Sequence, residues 1–562
     1  MKLVRTTKTT YRITRTSNLF LKGVLIGLTA FWQVQGLHAD NSATNSAPQT
    51  SAAQNSATVD VLMDLFVKKG FVSQEEVDQV KAEAETYQTN AVSQPSLSKL
   101  KMNDGILQAE FYGDIRLRYE DRYAKDPEDD RIELQRERYS VRLGLRGTVL
   151  DDFYFGVRLE TGSNPRSTWL TMGNSSSGTF QGPDSRSTAT INVGQAYMGW
   201  RHDNWVDITV GKMPNPLYTT PLVWSSTLEP EGIAEQFKYT VGQADFFATF
   251  GQFVYNDFNP NTASGGLGIN GLNGQDVPNI FQIAWEGGLT YHITDKLSAK
   301  AGATIYEYFG LQRSTATSGS STSPYLGDPY VGEGAYTGPG STYPVNGWSG
   351  YGLSSTLPGY GSVGYPNNQV GIDNLLVLEV PFELDYKIDR LVLRLFGDAA
   401  YNFEGNQRAD QAAAGYAAYL ANQTTPATIK GFAPQTSQVK AYMIGFGLGS
   451  SNVVYGPMQG LVYGNSSAKN AWEFRTYWQH IEQYSLDPNI LDTDFFDGLE
   501  NMQGICAAFA YGFSANVIGT VRYAYAKRID DTLGTGGSSQ DIPQINPVYS
   551  YSIFQLDLTL RF

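Results

Sequence analysis

From residue 108 to its end the chain falls into short blocks in which apolar and polar side chains alternate. A period of two sends successive side chains to opposite faces of a β-strand, so each block reads as one strand. The last block is the clearest. In Tyr549–Phe562 the residues Phe554, Leu556, Leu558, Leu560 and Phe562 share one face, and Gln555, Asp557, Thr559 and Arg561 share the other. An unbroken apolar row backed by a polar row suits a strand that meets hydrocarbon outside and a wet interior inside. The pattern predicts strands at 108–123, 134–149, 152–163, 191–201, 205–213, 235–241, 243–254, 280–292, 297–308, 373–386, 390–403, 437–449, 471–485, 503–513, 516–529 and 549–562.

The gaps alternate too. Those at 124–133, 164–190, 214–234, 255–279, 309–372, 404–436, 486–502 and 530–548 are long, whereas most of the others, such as 202–204 and 387–389, are very short. Short periplasmic turns against long external loops are how a membrane barrel is strung. The reading is all-β: a transmembrane antiparallel β-barrel of sixteen strands whose last strand closes on the first. The lumen face of that last strand should then stand beside the first arginines of the wall. One gap resists. Residues 450–470 belong on the short-turn side but are long, and Asn452–Tyr463 has the content of a further hairpin, which leaves eighteen strands open.

Ahead of the barrel the periodicity differs. Lys2, Arg5, Lys8, Arg12, Arg15 and Lys22 precede the apolar stretch Gly23–Val34 and then Leu37-His38-Ala39, the layout of a secretory signal peptide spanning 1–39. Residues 40–58 are small and polar, as in a flexible linker. Residues 59–90 have helical spacing, with Val61, Leu62, Leu65 and Phe66 in one stripe and a Ser73/Glu76 capping box opening a second. This predicts a short periplasmic helical hairpin, with cell-wall docking or a coiled-coil contact as its sharper reading, joined by 91–107 to the barrel at 108–562. Of composition, the 58 glycines, 35 tyrosines and 28 phenylalanines fit tight turns and interfacial aromatic girdles. Taking the leader's six cations from the 41 basic residues leaves 35 against 55 acidic ones, net −20, a poor balance for binding nucleic acid. Lone Cys506 excludes an internal disulfide.

Candidate chemistry concentrates on the first three strands. Arg116 and Arg118 alternate with Ile115 and Leu117; Arg136, Arg138, Arg142 and Arg146 with Tyr139, Val141 and Leu143; Arg158 with Val157 and Leu159. Arginine on a lipid face costs ~2–4 kcal/mol near the midplane, so these side chains belong in the lumen. They form either a cationic pore wall or a set of pairs with Asp114, Glu120, Glu137 and Glu160. Opposite them, Pro214–Gly232, within the 214–234 gap, is rich in proline and aromatics and ends with Glu229 and Glu231. Such a segment is expected to fold inward and set those two carboxylates across from the arginines, narrowing the lumen.

The runs FYGDIRLRYE (111–120), RERYSVRLGLRG (136–147), GVRLETG (156–162), GQAYMGW (194–200), GKMPNP (211–216), LVW (222–224) and LEPEG (228–232) resemble the putative porin family of Gram-negative outer membranes, as VLMDLFVKKGFVSQEEVDQVKAE (61–83) resembles the helical segment ahead of that barrel. The resemblance implies a sixteen-stranded, trimeric diffusion channel set among outer-membrane lipid and lipopolysaccharide, with terminal Phe562 as its signal to barrel-assembly machinery. It implies no cofactor and no metal. Its solutes would be small and hydrophilic, with a mild anion preference. Alternatives are a specific channel, either for organic anions through the arginines or for sugars through Tyr154, Tyr197, Tyr477, Tyr218 and Trp224, and a surface adhesin or structural anchor. An enzyme is not expected: there is no G-x-S-x-G elbow and no H-E-x-x-H helix.

Overall fold

The computed structural model describes residues 106–125, 129, 131–150, 152–162, 167–173, 190–203, 205–256, 280–309, 375–410, 437–487, 490–496, 498–531 and 548–562. Sixteen staves make up the barrel: β1 (Ile106–Lys125), β2 (Arg131–Val149), β3 (Phe153–Gly162), β4 (Thr190–His202), β5 (Val206–Lys212), β6 (Glu231–Val241), β7 (Ala244–Asn256), β8 (Ile280–Thr294), β9 (Leu297–Phe309), β10 (Leu376–Glu379 with Phe382–Ile388), β11 (Leu391–Asn402), β12 (Lys440–Ser450), β13 (Trp472–Ile481), β14 (Met502–Gly512), β15 (Val517–Arg528) and β16 (Ser550–Arg561). Each pairs antiparallel with the next, and β16 pairs with β1 from Asp114↔Arg561 to Lys125↔Ser550, so the sheet closes without a free edge.

Alternation fixes which face each side chain takes. Ile115, Leu117, Leu143, Val157, Ile444, Ile505 and Leu558 are exposed and form the hydrocarbon-facing belt, while their neighbours Asp114, Arg118, Arg138 and Asp557 are buried inside. Aromatics stack along the belt, as Phe250 and Trp285 do at 4.0 Å between ring centroids. The short turns reverse the chain through left-handed residues: Asp203 (φ 45°), Gly242 (φ 60°) and Asp389 (φ 50°). Aspartate and glycine tolerate that region better than most residues. Stave β10 is interrupted at Val380–Pro381 because proline brings no N–H to the ladder.

The 450–470 segment adds no stave. It carries one isolated bridge, Gly456↔Gln459, and a 3₁₀ turn, Leu461–Tyr463, so the count is sixteen and not eighteen. Its apolar residues serve a different end. Val453, Leu461 and Val462 pack against Ala471, Ala508, Ala510 and Ile518 on the inner wall. Sequence also treats 486–502 as an ordinary external loop, yet Leu486, Ile490, Leu491, Phe495, Phe496 and Leu499 are buried with Met502, Tyr551 and Ile553 in the lumen. The leader, the 40–58 linker, the 59–90 helices, residues 91–105 and nearly all of the 309–372 loop lie outside the described residues, while Ile106 and Leu107, expected in the second linker, belong to β1.

Candidate functional site in the barrel lumen

The arginines of β1–β3 point inward, and all seven candidates are ion-paired. Arg116 and Arg142 share Asp114 at 2.9 and 2.5 Å, and Arg136 and Arg138 reach Glu120 at 2.6 and 3.7 Å. Arg146 meets Glu110 at 2.7 Å near the periplasmic rim. Arg158 bridges Glu160 at 3.0 Å and Glu229 at 2.8 Å. Arg118 crosses the seam to Asp557 through two bonds of 2.7 and 2.9 Å, takes Asp494 at 2.6 Å, and lies 4.1 Å from the Trp169 ring. Glu120 is fully buried and also accepts from Arg122 and Gln555, so one carboxylate organises the upper wall. The wall is therefore a paired network rather than a row of bare cations, with Asp114 and Glu120 each shared by more than one arginine. Glu137, another partner weighed for these arginines, lies on the outward-facing odd positions of β2, whereas Asp114, Glu120 and Glu160 are the acids that take part.

Across the lumen, residues 213–230 fold inward from the end of β5. Just before it leaves the wall, Gly211 (φ 116°) sits in the last ladder pairs of β5, where a Cβ would strike the Ala196 carbonyl. Leu217 to Ser225 are all buried. Carboxylates of three staves pin it: Tyr218 N donates to Glu286 (2.6 Å), Thr219 Oγ1 to Glu379 (2.6 Å) and Thr220 Oγ1 to Asp398 (2.5 Å). Glu229, near the other end of the segment, joins Arg158 and accepts from Gln195 Nε2, so the structure does bring it to the arginines. Burial pushes its carboxyl above the usual range, against the pull of Arg158. Glu231 goes elsewhere. As the first residue of β6 it shares a face with outward-pointing Ile233, is exposed, and pairs with Lys212 at 2.7 Å, because a period of two from Glu229 is broken by Pro230 and the strand start.

Two further segments enter the lumen. Residues 486–501 descend from the external side and meet the first segment where Ser225 N donates to Ile490 O (2.6 Å); Asp487 accepts from Tyr308. Within it, burial and the charge of Asp494 push Asp492 up to about 7. Asp494 itself is held well below the usual carboxylate range, since Arg118 and Arg522 outweigh its burial. From the periplasmic side, 451–470 is held by Arg475, which donates to the carbonyls of Gly456, Pro457 and Gln459, and by Arg522, which donates to Val462 O. The aromatics singled out for a sugar path do not line up: Tyr154 and Tyr197 sit edge-to-face on the wall, whereas Trp224 and Tyr477 are buried in the apolar lumen core. Between the 213–230 segment and the 451–470 plug lies a cavity of about 770 Å³ lined by Leu217, Tyr218, Phe247, Lys238, Lys300 and Gln459 among others.

The chain resembles solved structures at low sequence identity. An outer-membrane expressed OmpT of Vibrio cholerae is 10% identical over 81% of this chain and 100% of its own (TM-score 0.34). An anion-selective porin from Comamonas acidovorans is 10% identical over 81% and 99% (TM-score 0.36), and a mutant of the Rh. blastica porin 11% identical over 81% and 100% (TM-score 0.31). Among curated proteins none matches. A profile of the putative porin family matches residues 125–562, well over half of the sequence; the chain belongs to that family and is an outer-membrane porin.

Proposed function

We propose that the protein is a passive-diffusion pore for small hydrophilic solutes in which the lumen is narrowed from both ends, externally by 213–230 with 486–501 and periplasmically by 451–470. The observation that carries this reading is the pinning of 213–225 by Glu286, Glu379 and Asp398, three inward carboxylates on separate staves. A segment fixed at three points is a built partition, and it sets Glu229 against Arg158 on the arginine wall. Solutes descend their gradients past this partition, screened by size, and no energy coupling or catalysis is needed. Because the wall arginines are all paired, they contribute shape and field more than free charge, and unpaired cations elsewhere add to a mild anion preference.

In the same reading the 1–39 leader delivers the chain across the inner membrane, Phe562 presents the last strand to barrel-assembly machinery, and the belt contacts lipid and lipopolysaccharide. The working assembly is a homotrimer, and the 59–90 segment contacts the cell wall. The test is conductance. Replacing 217–226 by a short glycine linker should raise single-channel conductance in planar bilayers and admit larger neutral sugars in liposome swelling. Unchanged conductance and cut-off in a correctly folded barrel would remove the partition from the mechanism.

A further inference from the structure

With every candidate wall arginine paired, the cavity between the 213–230 segment and the periplasmic plug has a different balance. Lys300, on β9, stands in register with Glu383 of β10, but that carboxylate is taken by Arg394 at 2.6 Å. The ammonium lies instead over the ring of Tyr218, 3.8 Å from its centroid, and 5.0 Å from that of Phe247. A cation over an aromatic face keeps its N–H donors for a ligand, because no counter-ion consumes them. Lys238 enters the same cavity from β6, opposite Phe247, and neither lysine makes an ion pair among the described residues. Asn215, at the cavity edge, has a buried Nδ2 without an acceptor, its Oδ1 being used by Leu217 N.

The acids around the cavity are already engaged. Glu286 accepts from Tyr218 N and Thr304, and Asp245 from Thr240 and His292. Lys300, Lys238 and Asn215 thus keep donors for a ligand. Within an otherwise polar lining, Leu217 and Phe247 on one side and Tyr455, Pro457 and Met458 of the plug on the other supply apolar surface. A pocket of this size holds a small molecule whole.

We propose that this cavity is a binding site for small monocarboxylates that carry a ring, the carboxylate held by Lys300, Lys238 and Asn215 and the ring packed on Phe247 and the plug. The inference rests on the pore reading and names the solute class the pore favours. It places anion recognition on two lysines below the partition and away from the arginine wall.

Benzoate is the probe, with benzamide as its uncharged analogue and acetate as the carboxylate without a ring. In planar bilayers with the full protein, benzoate should reduce chloride current at concentrations at least tenfold lower than either control. Lys300→Gln and Lys238→Gln should each raise its half-blocking concentration at least tenfold. Equal block by benzamide or acetate, or block unchanged in both variants, overturns the assignment. Ligand-observed NMR of benzoate with the detergent-solubilised protein supplies a readout that needs no conduction. Lysine-dependent binding by a protein that passes no current would keep this site and remove the pore; current without lysine-dependent block or binding would keep the pore and remove the site.

Discussion

At the scale of single residues, Arg118 has the widest reach. Its guanidinium ties β1 to Asp557 of the closing stave, to Asp494 of an inward loop and to the face of Trp169. Asp557 keeps a second cation, Arg522 at 2.5 Å, whereas Asp494 loses its direct partner if Arg118 is removed. Breaking a buried pair from one side costs about 3–5 kcal/mol, and the remaining Arg522 puts Arg118→Gln near the lower end. The expected loss is about 3 kcal/mol, read from urea unfolding followed by the gel-mobility shift of the folded barrel. A loss below about 1 kcal/mol would mean that the pairs are dispensable. Which face these arginines take is legible in sequence, because lipid penalises them and alternation offers only one other face. So is part of the pairing, since Asp114 with Arg116, Glu120 with Arg122 and Glu160 with Arg158 lie two apart on one strand. The partners that decide whether Arg118 is free, Asp494 and Asp557, lie 376 and 439 residues away and meet it only after closure.

At the scale of elements, the staves are readable in sequence, but of the three fillers only 213–230 is. A strand advertises itself through local alternation, while the landing site of a loop depends on the whole cylinder. Prolines and aromatics mark 213–230 as an inward segment, and Met213, Leu217, Leu222, Val223 and Trp224 are indeed buried. The same kind of signal stood in 486–501, where Leu486, Ile490, Leu491, Phe495, Phe496 and Leu499 are too apolar for a loop washed by water. In 451–470 the same content suggests extra strands, because apolar content alone does not separate a strand from a plug. The plug hangs on Arg475, whose guanidinium donates to three of its carbonyls and to Glu473, which in turn accepts from Val462 N. Arg475→Gln cannot span those acceptors and should loosen the plug while β13 keeps both its ladders. Raised single-channel conductance with added current noise is expected. A quiet, unchanged current would show that the plug lies off the conducting path.

At the scale of the whole molecule, the closing strand sets everything above it: without the β1–β16 seam, Arg118 has no Asp557 and Glu120 no Gln555. The register is specific. Leu117 stands opposite Leu558 on the lipid face, and Phe562 exchanges backbone hydrogen bonds with Gly113, where any Cβ would collide with its ring. Slipping the seam by one residue would turn Gln555, Asp557 and Thr559 toward hydrocarbon, a cost that pins the pairing. Directly opposed residues in an antiparallel pair lie about 5 Å apart at Cα, within reach of a disulfide, whereas diagonal neighbours lie about 7–8 Å apart and are not. Leu117→Cys with Leu558→Cys should therefore oxidise to a cross-link that keeps the heat-denatured chain compact on a gel, and Leu117→Cys with Leu560→Cys should not. Cys506 is almost wholly buried and adds no competing thiol. Equal cross-linking of both pairs would mean that the seam slides, and with it the network that fixes the inward loops.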